Sequence, residues 1–280
     1  MILIADSGST KTDWTVINKD ATTIRLSTKG INPFFQSEEE IAKEIENHLV
    51  PQLPTKEFSS IYFYGAGCAF EDKILSVKNA LLKNIKVKKS VEVNSDMLAA
   101  AHALCGREPG IACIIGTGSN SCSYNGEKIT DNVSPLGFIL GDEGSGAVLG
   151  RLFIGSLLKN QLTKGLKEEF LKEFELEPGQ IIDRVYRKPF PNRFLASLSP
   201  FIKKHIEDPS VREIVLGSFK DFFQRNVMQY DYKSCKVHFI GSIALHYQEV
   251  IKEAAAEKGI KMGQILKSPM EGLIKYHLNN

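Results

Sequence analysis

Two short segments of this chain follow one design, and that repeat restricts its fold more than any other feature. In the first, the apolar residues 2–5 run into the turn Asp6-Ser-Gly-Ser-Thr-Lys-Thr12 and then residues 14–17. In the second, residues 111–115 run into Gly116-Thr-Gly-Ser-Asn120 and then residues 121–124. Each reads as a two-stranded hairpin whose tip is built of glycine and hydroxyl residues. Glycine lets backbone N–H groups converge on an anion, and Ser and Thr add hydroxyl donors. One such tip alone is an ordinary turn. Two of them, near the start of each half of the chain, suit a polyphosphate clasped from both sides. Asp6 ends the first apolar run, so its carboxylate lies beside the phosphate site, where a Mg2+ held through water needs one.

The surrounding sequence predicts an α/β fold. Residues 1–5, 13–18, 60–64 and 90–93 read as strands and 37–50, 71–83 and 96–104 as helices, so strands and helices alternate. Ser37 with Glu40 makes a capping box, and Pro51 ends that helix. The turn-rich Gly106-Arg-Glu-Pro-Gly110 marks a boundary between expected domains at 1–108 and 109–280. In the second domain, strands are expected at 111–115 and 236–240. Helices are expected at 143–159, 164–175, 193–206, 209–230 and 243–258, and a terminal helix opens at Ser268. Asp208 and Pro209 supply the cap and first position of the helix at 209–230.

Composition excludes several functional classes. Thirty-five Lys and Arg against 33 Asp and Glu leave a net charge of +2, so no basic stripe for nucleic acid or a membrane surface is implied. At 280 residues, about two domains with separate cores are expected, with a cleft between them. Five cysteines without metal-ligand spacing suit a reduced, cytoplasmic protein, and no apolar run approaches the roughly 20 residues of a membrane span. Neither a P-loop segment nor a G-x-G-x-x-G between strand and helix occurs.

Asp6-Ser-Gly-Ser-Thr-Lys-Thr-Asp13, Gly116-Thr-Gly-Ser-Asn120, Gly141-Asp-Glu-Gly-Ser145 and Phe239-Ile-Gly-Ser242 occur in that order. Together they resemble the N-acetylglucosamine kinase members of the BadF/BadG/BcrA/BcrD ATPase family, within the actin, Hsp70 and sugar kinase superfamily. The resemblance spans essentially the whole chain. It implies two ribonuclease H-like domains around a central cleft that closes on ATP and Mg2+. By it, Gly8, Ser9, Thr10, Lys11 and Thr12 form one phosphate hairpin and Gly116, Thr117 and Gly118 the other. Gly241 and Ser242 fall at the adenosine site, and Asp6 organises the metal. Asn32, Ser119, Asn120, Gly137 and Asp142 match sugar-contacting positions, and Asp96 matches the catalytic Asp. Ser134-Pro-Leu-Gly137 stands where these kinases tend to carry Gly-Gly-Trp-Gly, so only the last Gly is kept. The implied partner is a small-molecule sugar, with a homodimer left open.

Phosphoryl transfer needs positioning, charge neutralisation and a residue that accepts the hydroxyl proton. Four acids compete for that last role. Asp6 is claimed by the metal. Asp142 and Glu143 open an expected helix, where acids favour the macrodipole whether or not they touch a ligand. Asp96 follows Ser95 at a helix start and could equally cap it. Its place at the carboxyl end of a strand, together with the family match, makes it the expected base. Two other functions remain open from the residues: an ATPase that activates a dehydratase or reductase through an iron–sulfur cluster, and a non-catalytic sugar or nucleotide sensor.

Overall fold

The apolar run at the N-terminus becomes the central strand of a sheet, and its alternation shows why. In β1 (Ile2–Ser7), Leu3 and Ala5 are buried in one hydrophobic cluster and Ile4 in another, so both faces of the strand are covered. The computed structural model describes residues 1–8 and 10–278, and the chain divides into two units, Met1–Arg107 with Pro269–Asn280, and Glu108–Ser268.

In the first unit, β1 pairs antiparallel with β2 (Lys11–Ile17), which pairs with β3 (Thr23–Lys29). On its other side β1 runs parallel to β4 (Glu57–Gly65), which pairs in parallel with β5 (Lys86–Ser95). The strand order is thus β3-β2-β1-β4-β5. Helices α1 (Glu38–Glu44) and α2 (Glu71–Asn84) pack together, and α3 (Asp96–Cys105) follows β5 directly. The Ser37–Glu40 capping box forms as expected, with Ser37 N–H donating to Glu40 Oε2 at 2.7 Å. Trp14 is fully buried against Phe63 at 5.9 Å between centroids, and its indole N–H donates to Thr28 Oγ1 at 3.0 Å. Both ends of that amphipathic ring are therefore satisfied.

The second unit repeats this plan. Strands β6 (Pro109–Ile115), β7 (Ser119–Asn125), β8 (Ile129–Asp131), β9 (Val237–Ile240) and β10 (Met262–Leu266) take the order β10-β9-β6-β7-β8. As in the first sheet, the leading strand pairs antiparallel with its hairpin partner and parallel with a later strand. The helices are α4 (Gly137–Leu140), α5 (Gly146–Leu158), α6 (Leu166–Glu173), α7 (Pro178–Tyr186), α8 (Pro191–Ala196), α9 (Ser199–Lys204), α10 (Pro209–Arg225), α11 (Ser242–His246) and α12 (Gln248–Glu257). Asp208 caps α10 by accepting from Ser210 N–H at 2.9 Å. At Gly150 a side chain would meet the Leu195 carbonyl at 2.1 Å, so glycine lets α5 and α8 approach.

The last helix, α13 (Met270–Leu278), corrects the expected division of the chain. Sequence assigned residues 109–280 to the second domain, yet Pro269–Asn280 belong to the first unit. The alanine-rich face of α3 explains it, because Ala99 and Ala103 share a buried cluster with Met270, Leu273 and Ile274. At Gly272 a Cβ would lie 2.4 Å from the Ala103 carbonyl, so only glycine permits this spacing. Tyr64 then bridges the two helices, its hydroxyl 2.9 Å from both His102 Nδ1 and His277 Nε2.

Other boundaries shift for local reasons. The expected helix at 143–159 begins at Gly146, and the one at 243–258 is interrupted at Tyr247. Strand β3 escapes sequence reading because its residues alternate between exposed and half-buried, without an apolar run.

Candidate functional site

The first hairpin presents its residues in two directions. At the tip, Gly8 N–H donates to the Lys11 carbonyl at 3.0 Å, and Gly8, Thr10 and Lys11 are exposed. Ser9, expected in the same phosphate loop, lies outside the described residues. Lys11 pairs with Asp13 at 2.6 Å on the surface. Thr12 turns inward instead. It is fully buried, its hydroxyl lies 2.7 Å from Ser7 Oγ, and it donates to the Lys29 carbonyl at 3.0 Å. Its side chain is thus engaged within the protein and not displayed at the tip with Thr10.

Asp6 stands on the same face of β1 as Ile4, two residues along the strand. It is aligned across the sheet with Asp13 on one side and Tyr64 on the other. Burial, then the charges of Asp13 and Asp96, push its pKa up to about 7. Asp96 begins α3 immediately after β5, but Ser95 is the helix cap, its Oγ accepting the Leu98 N–H at 3.2 Å. Burial raises the Asp96 pKa as well, opposed by hydrogen bonds from the Met97 and Asp96 N–H groups. Two carboxylates that repel each other at one sheet end form a place where a cation is favourable. Among the described residues no three His, Cys, Asp or Glu side chains gather as a metal-ligand group. A pair of carboxylates beside a glycine and hydroxyl hairpin instead fits an ion such as Mg2+, which keeps several waters and needs only one or two carboxylates from the protein.

Asn32 belongs to the same unit, in the segment after β3. It is buried, its backbone N–H donates to Gln36 Oε1 at 2.7 Å, and its Oδ1 accepts the Phe34 N–H at 2.9 Å. Gly67, at φ +82°, lies against that oxygen, where a Cβ would come within 2.4 Å. The carbonyl of the Asn32 side chain is therefore held from two sides, while its amide N–H2 donates to no described protein atom. The need for a positive φ at Gly67 follows from the contact with Asn32, which sequence does not display.

In the second unit, the tip of the β6–β7 hairpin is anchored to α5. The Gly116 and Thr117 carbonyls accept the Gly146 and Ala147 N–H groups at 2.8 and 3.1 Å. Ser145 Oγ accepts the Val148 N–H at 3.2 Å and caps the helix. The first donors of α5 are thereby satisfied internally. Neither Asp142 nor Glu143 caps it, which removes the structural alternative weighed for Asp142. Glu143 has a separate role: it is buried, ion-paired with Arg225 and bonded by Asn226 Nδ2 at 3.1 Å. Gly116 shows open space where a Cβ would be, and no left-handed φ, so nothing within the protein requires glycine there.

Asp142 adopts φ 54°, a conformation costly for a side-chain-bearing residue and concentrated at functional sites. Its carboxylate lies by Gly118, where a Cβ would stand 3.0 Å from Oδ2. Burial drives its pKa up to about 6, against a hydrogen bond from the Ser119 N–H and with help from the Glu143 charge. The Ser119 hydroxyl is engaged with the Glu143 carbonyl at 2.9 Å. Asn120 accepts from Asn132 Nδ2 at 2.9 Å, leaving its own amide N–H2 without a described acceptor. Gly137 opens α4 at φ +74° and belongs to the same loop as Asp142, whose N–H donates to the Pro135 carbonyl at 2.9 Å. Gly241, at φ +124°, packs on the Ile115 carbonyl, so close that a Cβ would meet it at 2.2 Å. This brings the turn before α11 against the tip end of the hairpin, where Ile115 faces Ser119. Ser242 beyond it is exposed and lines a cavity of ≈ 720 Å³ with Ser199, Lys203, Lys204 and His246, of which sequence reading singled out only Ser242.

No known family profile matches the chain. A crystal structure of a Porphyromonas gingivalis protein, provisionally assigned as an N-acetylglucosamine kinase, is 52% identical and superposes with a TM-score of 0.93 over 100% of this chain and 99% of that one. An N-acetylmuramic acid/N-acetylglucosamine kinase of Clostridium acetobutylicum is 28% identical over 235 residues, 76% of either chain. A ROK hexokinase of Thermus thermophilus, at 14% identity, shares the fold with a TM-score of 0.51 over 99% of this chain and 97% of its own. No helix among the described residues is long and apolar enough to cross a membrane. With a two-unit α/β fold of the actin-like ATPase and sugar kinase type and 52% identity across essentially its whole length, the chain belongs to the N-acetylglucosamine kinase-like family of amino-sugar kinases.

Proposed function

We propose that this chain transfers the γ-phosphoryl group of ATP to a hydroxyl of N-acetylglucosamine, in the cytoplasm and with Mg2+. The observation that carries the reading is the pair Asp6 and Asp96, two half-buried carboxylates raised in pKa at one end of one sheet, with helix capping assigned to neither. Asp96 accepts the proton of the sugar hydroxyl as that oxygen bonds to phosphorus and the bond to ADP breaks. Burial strengthens it as a base, and its backbone donors hold the carboxylate in place. Asn32 and Asn120 donate to sugar hydroxyls through their uncommitted amides, and Asp142 accepts from another. The tips carrying Thr10 and Thr117 meet the phosphates, and the cavity at Ser242 takes the adenosine. Asp6 would hold Mg2+ through water, and the ion would neutralise charge developing on the transferred phosphoryl group.

The test is ATP-dependent phosphorylation of N-acetylglucosamine, with N-acetylmuramic acid, N-acetylmannosamine and glucose as comparators. Turnover of N-acetylglucosamine with the highest kcat/KM supports the reading. Turnover of glucose alone, or of none of the four, overturns it.

A further inference from the structure

The two ends of the first unit's half-site are joined by a buried pair of hydroxyls that no step above employs. Ser7 and Thr12 are the last facing residues of the β1–β2 hairpin before its tip. They are 1% and 0% exposed, with their oxygens 2.7 Å apart. Both reach across to the segment that leads into Asn32. Thr12 Oγ1 donates to the Lys29 carbonyl and accepts the Ile31 N–H at 3.2 Å, while Ser7 Oγ accepts the same N–H at 3.0 Å and shares its one hydrogen between Thr12 Oγ1 and the Ile31 carbonyl, 2.9 Å away. Two main-chain bonds extend the connection, from Gly30 N–H to the Thr10 carbonyl at 3.0 Å and from Ala66 N–H to the Ser7 carbonyl at 3.1 Å. Beyond Ala66 lies Gly67, which closes on the Asn32 side chain.

We infer that Ser7 and Thr12 are positioning residues, whose hydroxyl pair holds the first phosphate hairpin in register with Asn32. The inference rests on the functional reading above, because it takes that hairpin to meet phosphates and Asn32 to meet the sugar. A hairpin needs no such pair: apolar side chains at these two positions would complete the turn and fill the space. What they could not do is bond both backbone groups of Ile31, the residue next to Asn32, and fix its distance from the tip. A buried polar network tied to named backbone groups specifies one arrangement where apolar packing tolerates several. Alignment of the phosphoryl group with its acceptor is the quantity this would control, and a misplacement of about 1 Å costs on the order of 10²-fold in rate.

Thr12→Val keeps the volume and removes the hydroxyl. The measurement is sugar phosphate formed per ATP consumed, with sugar saturating, because a misaligned acceptor lets water take the phosphoryl group instead. The expected result is a fall in kcat for sugar of about 10- to 100-fold. Hydrolysis to ADP and phosphate should fall far less, so that the ratio drops, and Thr12→Ser should restore it. Equal losses of both activities, or an unchanged ratio with unchanged kcat, overturn the positioning role. Ser7→Ala is measured in parallel and decides the matter by the same ratio if Thr12→Val does not fold. A wild-type protein that phosphorylates no amino sugar would instead overturn the functional reading itself.

Discussion

The Ser95 hydroxyl accepts the Leu98 N–H at 3.2 Å and so performs the capping of α3 that the adjoining Asp96 could otherwise supply. The Asp96 side chain is thereby left to the sheet end it shares with Asp6, whose pKa it helps to raise. Helix capping and the proposed chemistry thus fall on neighbouring residues, and they can be perturbed separately.

Asp96→Asn keeps size and most hydrogen bonding but removes the proton acceptor. Turnover should fall about 10²- to 10⁴-fold with ATP affinity nearly constant. Thermal stability should not drop, because the cap is Ser95. Steady-state kinetics and a melting curve on the same preparation check both halves, and near-wild-type kcat would remove Asp96 from the mechanism.

Asp6→Asn should stabilise the fold while impairing catalysis. Its folded pKa, about 7, exceeds the ordinary 3.8, so the folded chain holds a proton the unfolded chain has released, and stability is lost as pH rises between those values. The amide removes that loss. A gain of at least about 1 kcal/mol at pH 8, shrinking toward pH 4, is expected in urea titrations, together with lower activity and a changed Mg2+ requirement.

Acid should loosen the packing of α13. Burial holds His102 and His277 down at about 4, with the charge of His277 adding to it at His102 and that of Arg107 at both. An unfolded histidine takes its proton near 6.5, so between pH 6.5 and 4 the unfolded chain binds more protons and stability falls, by roughly 3 kcal/mol per histidine at the lower limit. Denaturant midpoints from pH 7 to 4 report the slope. His277→Gln should flatten it, and an unchanged slope would place the acid sensitivity elsewhere.

Two glycines should respond oppositely to alanine. Gly116→Ala meets open space and ordinary backbone, so stability should hold within about 0.5 kcal/mol while the KM for ATP rises, because a methyl group would stand where phosphate approaches. Gly241→Ala forces a side chain onto φ +124° and the Ile115 carbonyl, and should cost more than about 2 kcal/mol. Melting temperatures and ATP titrations of both variants separate the two roles.

What the sequence determined by itself is local. The alternation of apolar runs with amphipathic segments set the α/β class, and the Ser37 and Asp208 caps were readable because a cap bonds donors within three residues. The two glycine and hydroxyl turns and Asp6 stood out because their residue types stand beside apolar strands, whereas Asp96 was distinguished from a helix cap only by its place after a strand and by the family resemblance. Tertiary structure decided which groups remain available. Thr10 and Thr12 are alike in sequence, yet one is exposed at the tip and the other is sealed against Ser7, because Thr10 lies in the turn before β2 while Thr12 stands within the strand, facing Ser7 across the hairpin. Asp142 and Glu143 are adjacent carboxylates, yet a left-handed turn directs one toward Gly118 and the next toward Arg225. The terminal helix joined the first unit because Gly272 and Ala103 permit an approach that no local pattern encodes. Burial and partnership depend on residues far apart in the chain, which only the assembled fold brings together.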